Sequence, residues 1–87
     1  IGGGSNNSID GGADNDSILG GDGNENMAGG AGNDTVNGMA GGDEIVGNSG
    51  NDSITGGAGS DILLGNEGMD TINGGLDNDT IDGGADN

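Results

Sequence analysis

The sequence contains no cysteine, histidine, proline or aromatic residue, and not one lysine or arginine. Each absence excludes something. Without cysteine there is no disulfide framework and no thiolate metal site, which suits an exported chain indifferent to its redox compartment. Without a basic residue the chain cannot neutralise phosphates, so nucleic-acid binding is excluded. No apolar run is longer than the three residues Ile62 to Leu64, too short for a membrane-spanning helix or the core of a secretion signal. Catalysis loses most of its usual side chains as well. The carboxylates and hydroxyls that remain recur in repeated copies, not in one unique constellation, so no enzyme is expected.

What is present is glycine and negative charge. Of 87 residues, 25 are Gly and 16 are Asp or Glu, for a formal charge of −16. Leu, Ile and Val number 14, a share typical of disordered chains. Repulsion among the carboxylates opposes compaction, so a folded form must take in cations.

The order of the residues overrides their composition. Written in nines from Gly2, the chain reads GGGSNNSID, GGADNDSIL, GGDGNENMA, GGAGNDTVN, GMAGGDEIV, GNSGNDSIT, GGAGSDILL, GNEGMDTIN, GGLDNDTID and then GGADN. The register never slips. Position 1 of the nonapeptide is Gly in all ten starts, and position 2 is Gly except at Met39, Asn48 and Asn66. Position 6 is Asp in seven of nine repeats, the exceptions being Asn7 and Glu25. Position 8 is always apolar: Ile9, Ile18, Met27, Val36, Ile45, Ile54, Leu63, Ile72 and Ile81. Such periodicity marks a solenoid, in which each unit buries its apolar residue only against its neighbours.

Each repeat predicts a glycine-rich turn and a three-residue strand at positions 7–9, with position 8 inward and its neighbours outward. The glycine positions suit φ > 0 and close approach of carbonyls. Asn48 and Asn66 fit that need, and Met39 does not. Two repeats make one coil, so residues 18 apart stack. The inner ladders are then Ile9, Met27, Ile45, Leu63, Ile81 and Ile18, Val36, Ile54, Ile72. The domain is a single array, nine complete repeats over 2–82 and a partial one over 83–87. With Ile1 first and no capping segment visible, it is expected to be part of a longer array or assembly.

The pattern resembles the G-G-x-G-x-D-x-U-x nonapeptide of the RTX (hemolysin-type) calcium-binding repeats. The segment GGAGNDTVN, Gly29 to Asn37, matches every fixed position, and the resemblance covers essentially the whole chain. It implies an all-β parallel β-roll with calcium ions between stacked turns, each ion sharing turn carbonyls and the position 6 carboxylates of two coils. On this sequence, one row of sites joins Asp16, Asp34, Asp52 and Asp70, and the other joins Glu25, Asp43, Asp61 and Asp79. About five to seven ions would follow, the highest number requiring a step between Asn7 and Glu25. Asp10, Asp14, Asp22, Glu44, Glu67, Asp77, Asp82 and Asp86 fall outside position 6 and are expected to be solvated.

The resemblance also implies an extracellular setting, where calcium is high and its binding drives folding. The expected role is a non-catalytic folding and secretion module of an exported bacterial protein. The alternative is a structural segment of a fibre, adhesin or surface layer, stacked end to end on other copies or flanking repeats. Three weaker features complete the reading. Sequons at Asn6, Asn15, Asn33, Asn51 and Asn78 follow from the repeat consensus itself. Ala28, Val46 and Leu64 make an outward apolar stripe with Ile62 nearby. Ser17, Thr35, Ser53 and Thr71 form an outward hydroxyl row.

Overall fold

The computed structural model describes residues 6–84, all of it strand, turn and loop. Nine strands follow one another: β1 Ser8–Asp10, β2 Ser17–Gly21, β3 Asn26–Ala31, β4 Thr35–Ala40, β5 Glu44–Ser49, β6 Ser53–Ala58, β7 Ile62–Asn66, β8 Thr71–Gly75 and β9 Thr80–Asp82. Odd strands form one sheet in the order β1-β3-β5-β7-β9 and even strands the other, β2-β4-β6-β8. All pairings are parallel and join residues 18 apart, as in Ile45 with Leu63 and Ile54 with Ile72. The chain is therefore a parallel β-solenoid of two nonapeptides per coil, in a slab 31 × 25 × 13 Å.

The core consists of the two position 8 ladders. Ile18, Met27, Val36, Ile45, Ile54 and Leu63 are buried, with Ile9 and Ile72 packed partly against them. Ile81 on β9 holds the same inner position yet is 50% exposed, because no further coil covers it among the described residues. Positions 7 and 9 face outward on the inner coils, though position 9 is partly covered at Ala28, Val46 and Leu64. These three do align on β3, β5 and β7, and the column ends at Asp82.

The strands differ from the expected three residues. Only β1 and β9 are that short; the others hold five or six, continuing through positions 1 and 2 of the next repeat. The glycines thus belong to the ladder, as in the pairing of Gly30 with Asn48. Positive φ is confirmed at position 2, including Met39 at 78°, Asn48 at 74° and Asn66 at 70°. The N–H of Met39 is held there by the Oδ1 of Asn37, two residues earlier, at 3.0 Å, as the N–H of Gly12 and Gly75 are by the residues two before them. This is a local turn of the kind Asn side chains favour.

Position 1 is glycine for another reason. Its φ is not positive; its surroundings leave no space. A Cβ on Gly38 would strike the Asp43 carboxylate and lie 2.7 Å from the Gly56 carbonyl of the next coil. The same collision recurs at Gly47, Gly56 and Gly65. The invariant glycine is the floor of a space that the position 6 side chain fills.

Candidate metal centres

Position 6 lies just ahead of each strand, on the side of the chain that faces the core. Glu25, Asp34, Asp43, Asp52 and Asp61 are between 1% and 3% exposed; Asp16, Asp70 and Asp79 are half-buried. These are extreme values for carboxylates, which are rarely buried without a partner.

Each position 6 aspartate after Asp16 spends one oxygen on the backbone of the preceding coil. The N–H of Asp16 donates to Oδ1 of Asp34, that of Asp34 to Asp52, and that of Asp52 to Asp70, each at 2.8 Å. In the other row the N–H of Glu25 donates to Asp43 and that of Asp43 to Asp61, at 2.8 Å, and that of Asp61 to Asp79 at 2.9 Å. The structure thus stacks the eight position 6 residues in the two rows expected from the sequence. Asn7, the ninth, stacks beneath Glu25 through the β1–β3 pairing of its neighbours.

In five of the aspartates the second oxygen has no such partner. Oδ2 of Asp16, Asp34, Asp43, Asp52 and Asp61 is buried without a hydrogen bond, as are both carboxylate oxygens of Glu25. Buried acceptors are nearly always satisfied, and the sequence has no basic residue to pair with them. Burial raises the Asp43 carboxyl to about 6, helped by the adjacent Glu25 carboxylate. Burial likewise raises Asp52, with added repulsion from Asp34 and Asp70, and Asp61, with repulsion from Asp79. Among the described residues no three acidic side chains converge on one point. A cation between coils would therefore meet carboxylates two at a time and take its remaining oxygens from backbone carbonyls. Rows of orphaned, hard, anionic oxygens beside close-packed glycine carbonyls fit calcium well.

Comparison with known families settles the relationship. The model of the RTX calcium-binding nonapeptide repeat (4 copies) matches three times, over residues 1–36, 37–68 and 64–87. The chain belongs to the RTX calcium-binding repeat family. No curated protein and no solved structure gives a significant match. Family membership makes this a calcium-binding repeat of a structural, generally non-catalytic kind.

The acidic residues outside position 6 are exposed as expected: Asp10, Asp14, Asp22, Glu44, Glu67, Asp77 and Asp82. Asp86 lies outside the described residues. What sequence reasoning missed is a second ladder one residue earlier. Oδ1 of Asn6 accepts from the N–H of Asn24, Asn15 from Asn33, Asn24 from Gly42, Asn33 from Asn51, and Asn51 from Met69, all at 2.7–2.8 Å. Asparagine oxygens thus reach forward one coil while aspartate oxygens reach back. The signal was available: position 5 is Asn in six of nine repeats. Four of the five sequon asparagines, Asn6, Asn15, Asn33 and Asn51, belong to this ladder, which explains them without a glycan.

Proposed function

We propose that this array is a calcium-dependent folding module of an exported protein, held together by ions lying between successive turns. The observation that carries it is the pair of rows of buried, partnerless carboxylate oxygens in a chain without a cation of its own. Asp16, Asp34, Asp52 and Asp70 would hold the ions of one row, and Glu25, Asp43, Asp61 and Asp79 those of the other. Six stacked pairs lie within the five-to-seven range, and a site at Asn7–Glu25 would be the weakest for want of charge. Calcium supplies the positive charge that lets these carboxylates remain ionised inside the fold, and the energy of binding becomes energy of folding. At cytosolic calcium the chain stays extended and export-competent; outside the cell, at the ~10⁻⁴–10⁻³ M range of extracellular modules, it folds. Circular dichroism tests this. Chelator should give a disordered spectrum and millimolar calcium a β spectrum, with magnesium a poor substitute because of its strict octahedral preference. Equal β content in chelator and calcium would refute the coupling.

A second reading, a structural segment of a fibre, adhesin or surface layer, draws on the last described coil. Ile81 is 50% exposed there, apolar surface at the inward position that another coil would cover. Electron microscopy and light scattering across a calcium titration test it: filaments or growing particles support stacking, and a discrete monomer in saturating calcium opposes it.

A further inference from the structure

The ladder has one irregular step, and its irregularity is chemical. In the Asp34–Asp52 and Asp43–Asp61 steps, Oδ1 of each aspartate is taken by the amide of the coil before and only Oδ2 is left over. Glu25 follows a different plan. Its Oε1 approaches Gly20, the position 1 glycine of its own turn, as the Oδ2 of each aspartate approaches its own. The extra methylene leaves Oε2 buried as well, also without a partner. The side chain is 3% exposed, so neither oxygen is turned to water. The residue beneath it, Asn7, is uncharged, so the Glu25 carboxylate has no second anionic neighbour to share an ion with.

We infer that the Glu25–Asp43 step is a calcium site of its own kind, and the tightest in the array. This rests on the reading that position 6 residues ligate calcium. The two carboxylates of this step hold three buried oxygens without a hydrogen bond, two on Glu25 and one on Asp43, against two in a step such as Asp34–Asp52. Calcium accepts a bidentate carboxylate readily, and its affinity rises with ligand charge and number. The neighbouring steps divide each aspartate between the ion above and the ion below. Glu25 gives its whole charge to one. The substitution that breaks the repeat consensus thus sets the calcium level at which the array folds.

The test compares variants that each remove one carboxylate, in the full 87-residue chain, titrated with calcium chloride. The readouts are the midpoint of the β signal and the number of ions bound, by native mass spectrometry. Asp16→Asn is the reference, since Asp16 has an acidic neighbour on one side only and one orphaned oxygen. Glu25→Gln should raise the midpoint about tenfold, at least threefold more than Asp16→Asn, and cost one ion. Glu25→Asp, which restores the regular ladder, should keep the ion count and lie between wild type and Glu25→Gln. Equal midpoints for Glu25→Gln and Asp16→Asn, or a Glu25→Asp variant folding at lower calcium than wild type, would overturn the inference. If Asp16→Asn and Asp52→Asn lose ions while Glu25→Gln loses none, this inference alone fails. If none of the three changes ion count or midpoint, the ligation reading fails with it. Should Glu25→Gln not fold, the Glu25→Asp midpoint decides.

Discussion

Asp52 offers the sharpest separation between a carboxylate that holds the backbone and one that holds an ion. Its Oδ1 accepts the N–H of Asp34 at 2.8 Å, and its Oδ2 is buried and partnerless between Asp34 and Asp70. Asp52→Ala removes both functions. It forfeits a charge-assisted hydrogen bond of about 1.5–3 kcal/mol and strands a buried amide, with or without calcium. Asp52→Asn keeps an acceptor for Asp34 and removes only the charge. Without calcium this should stabilise the fold, by about 1–2 kcal/mol, because an unpaired buried charge carries an effective penalty of several kcal/mol. With calcium the sign reverses. The sites proposed at the Asp34–Asp52 and Asp52–Asp70 steps would each lose one of two carboxylates. A unit charge about 4 Å from a dication is worth on the order of 8 kcal/mol gross at an effective dielectric near 20, most of it offset by desolvation. A net 1–2 kcal/mol per site is about 5–30-fold in affinity, or about 2–4 kcal/mol over both.

The assay is circular dichroism in urea, once in saturating calcium and once in chelator with trimethylamine oxide, which favours the compact state without supplying charge. Asn and Ala should both fall below wild type in calcium. In chelator Asn should rise above wild type while Ala falls below it. If Asn and Ala behave alike in chelator, Oδ2 is not an unpaired charge in the metal-free fold, and the argument for ions between the turns loses its foundation.

Three further outcomes follow from the same geometry. Asp43 rises to about 6 from 3.8, and Asp52 and Asp61 are raised too, so the metal-free fold binds more protons than the unfolded chain between about pH 4 and 6. Its stability should be greatest below about pH 4 and fall as pH rises through 6, whereas calcium affinity should weaken on acidification over the same window; circular dichroism in chelator and calcium titrations at pH 5 and 7 check both signs. Gly38→Ala should abolish calcium-induced β signal or raise its midpoint by more than tenfold, because its Cβ meets the Asp43 carboxylate and the Gly56 carbonyl, while Gly12→Ala, with nothing within 4 Å, should cost only the strain of its φ of 94°, about 1–2 kcal/mol. Met39→Gly should raise the melting temperature in calcium, since it relieves a left-handed Met that is 45% exposed and contributes little packing, a gain of about 1 kcal/mol.

The parts of this fold legible in the sequence are those that depend on period alone. Nine-residue spacing of one apolar side chain dictates which residues are inside, and two strands per coil dictates that Met27 lies under Ile45. The position 6 stacking follows from the same arithmetic. What period cannot convey is direction. Asn33 and Asp34 are adjacent and equally polar, yet the Asn33 oxygen reaches forward to the amide of Asn51 while the Asp34 oxygen reaches back to that of Asp16. That choice depends on which face of the chain each residue occupies as the turn enters the strand: exposed for Asn33, buried for Asp34. The two ladders together hold consecutive amides of the regular turns and leave the Oδ2 of Asp34, Asp43, Asp52 and Asp61 uncommitted. Position 1 glycine was legible as a constant and not as a cause, since a collision with Asp43 exists only once the side chain has folded back over Gly38. Glu25 was legible as a candidate ligand with a longer reach, and not in which oxygens that reach leaves unpartnered. In the sequence it is a near-match to aspartate; in the fold the added methylene changes which of its oxygens are free. In a repeat protein the consensus residues specify the coil, and the departures from it are where one coil acquires a property its neighbours lack.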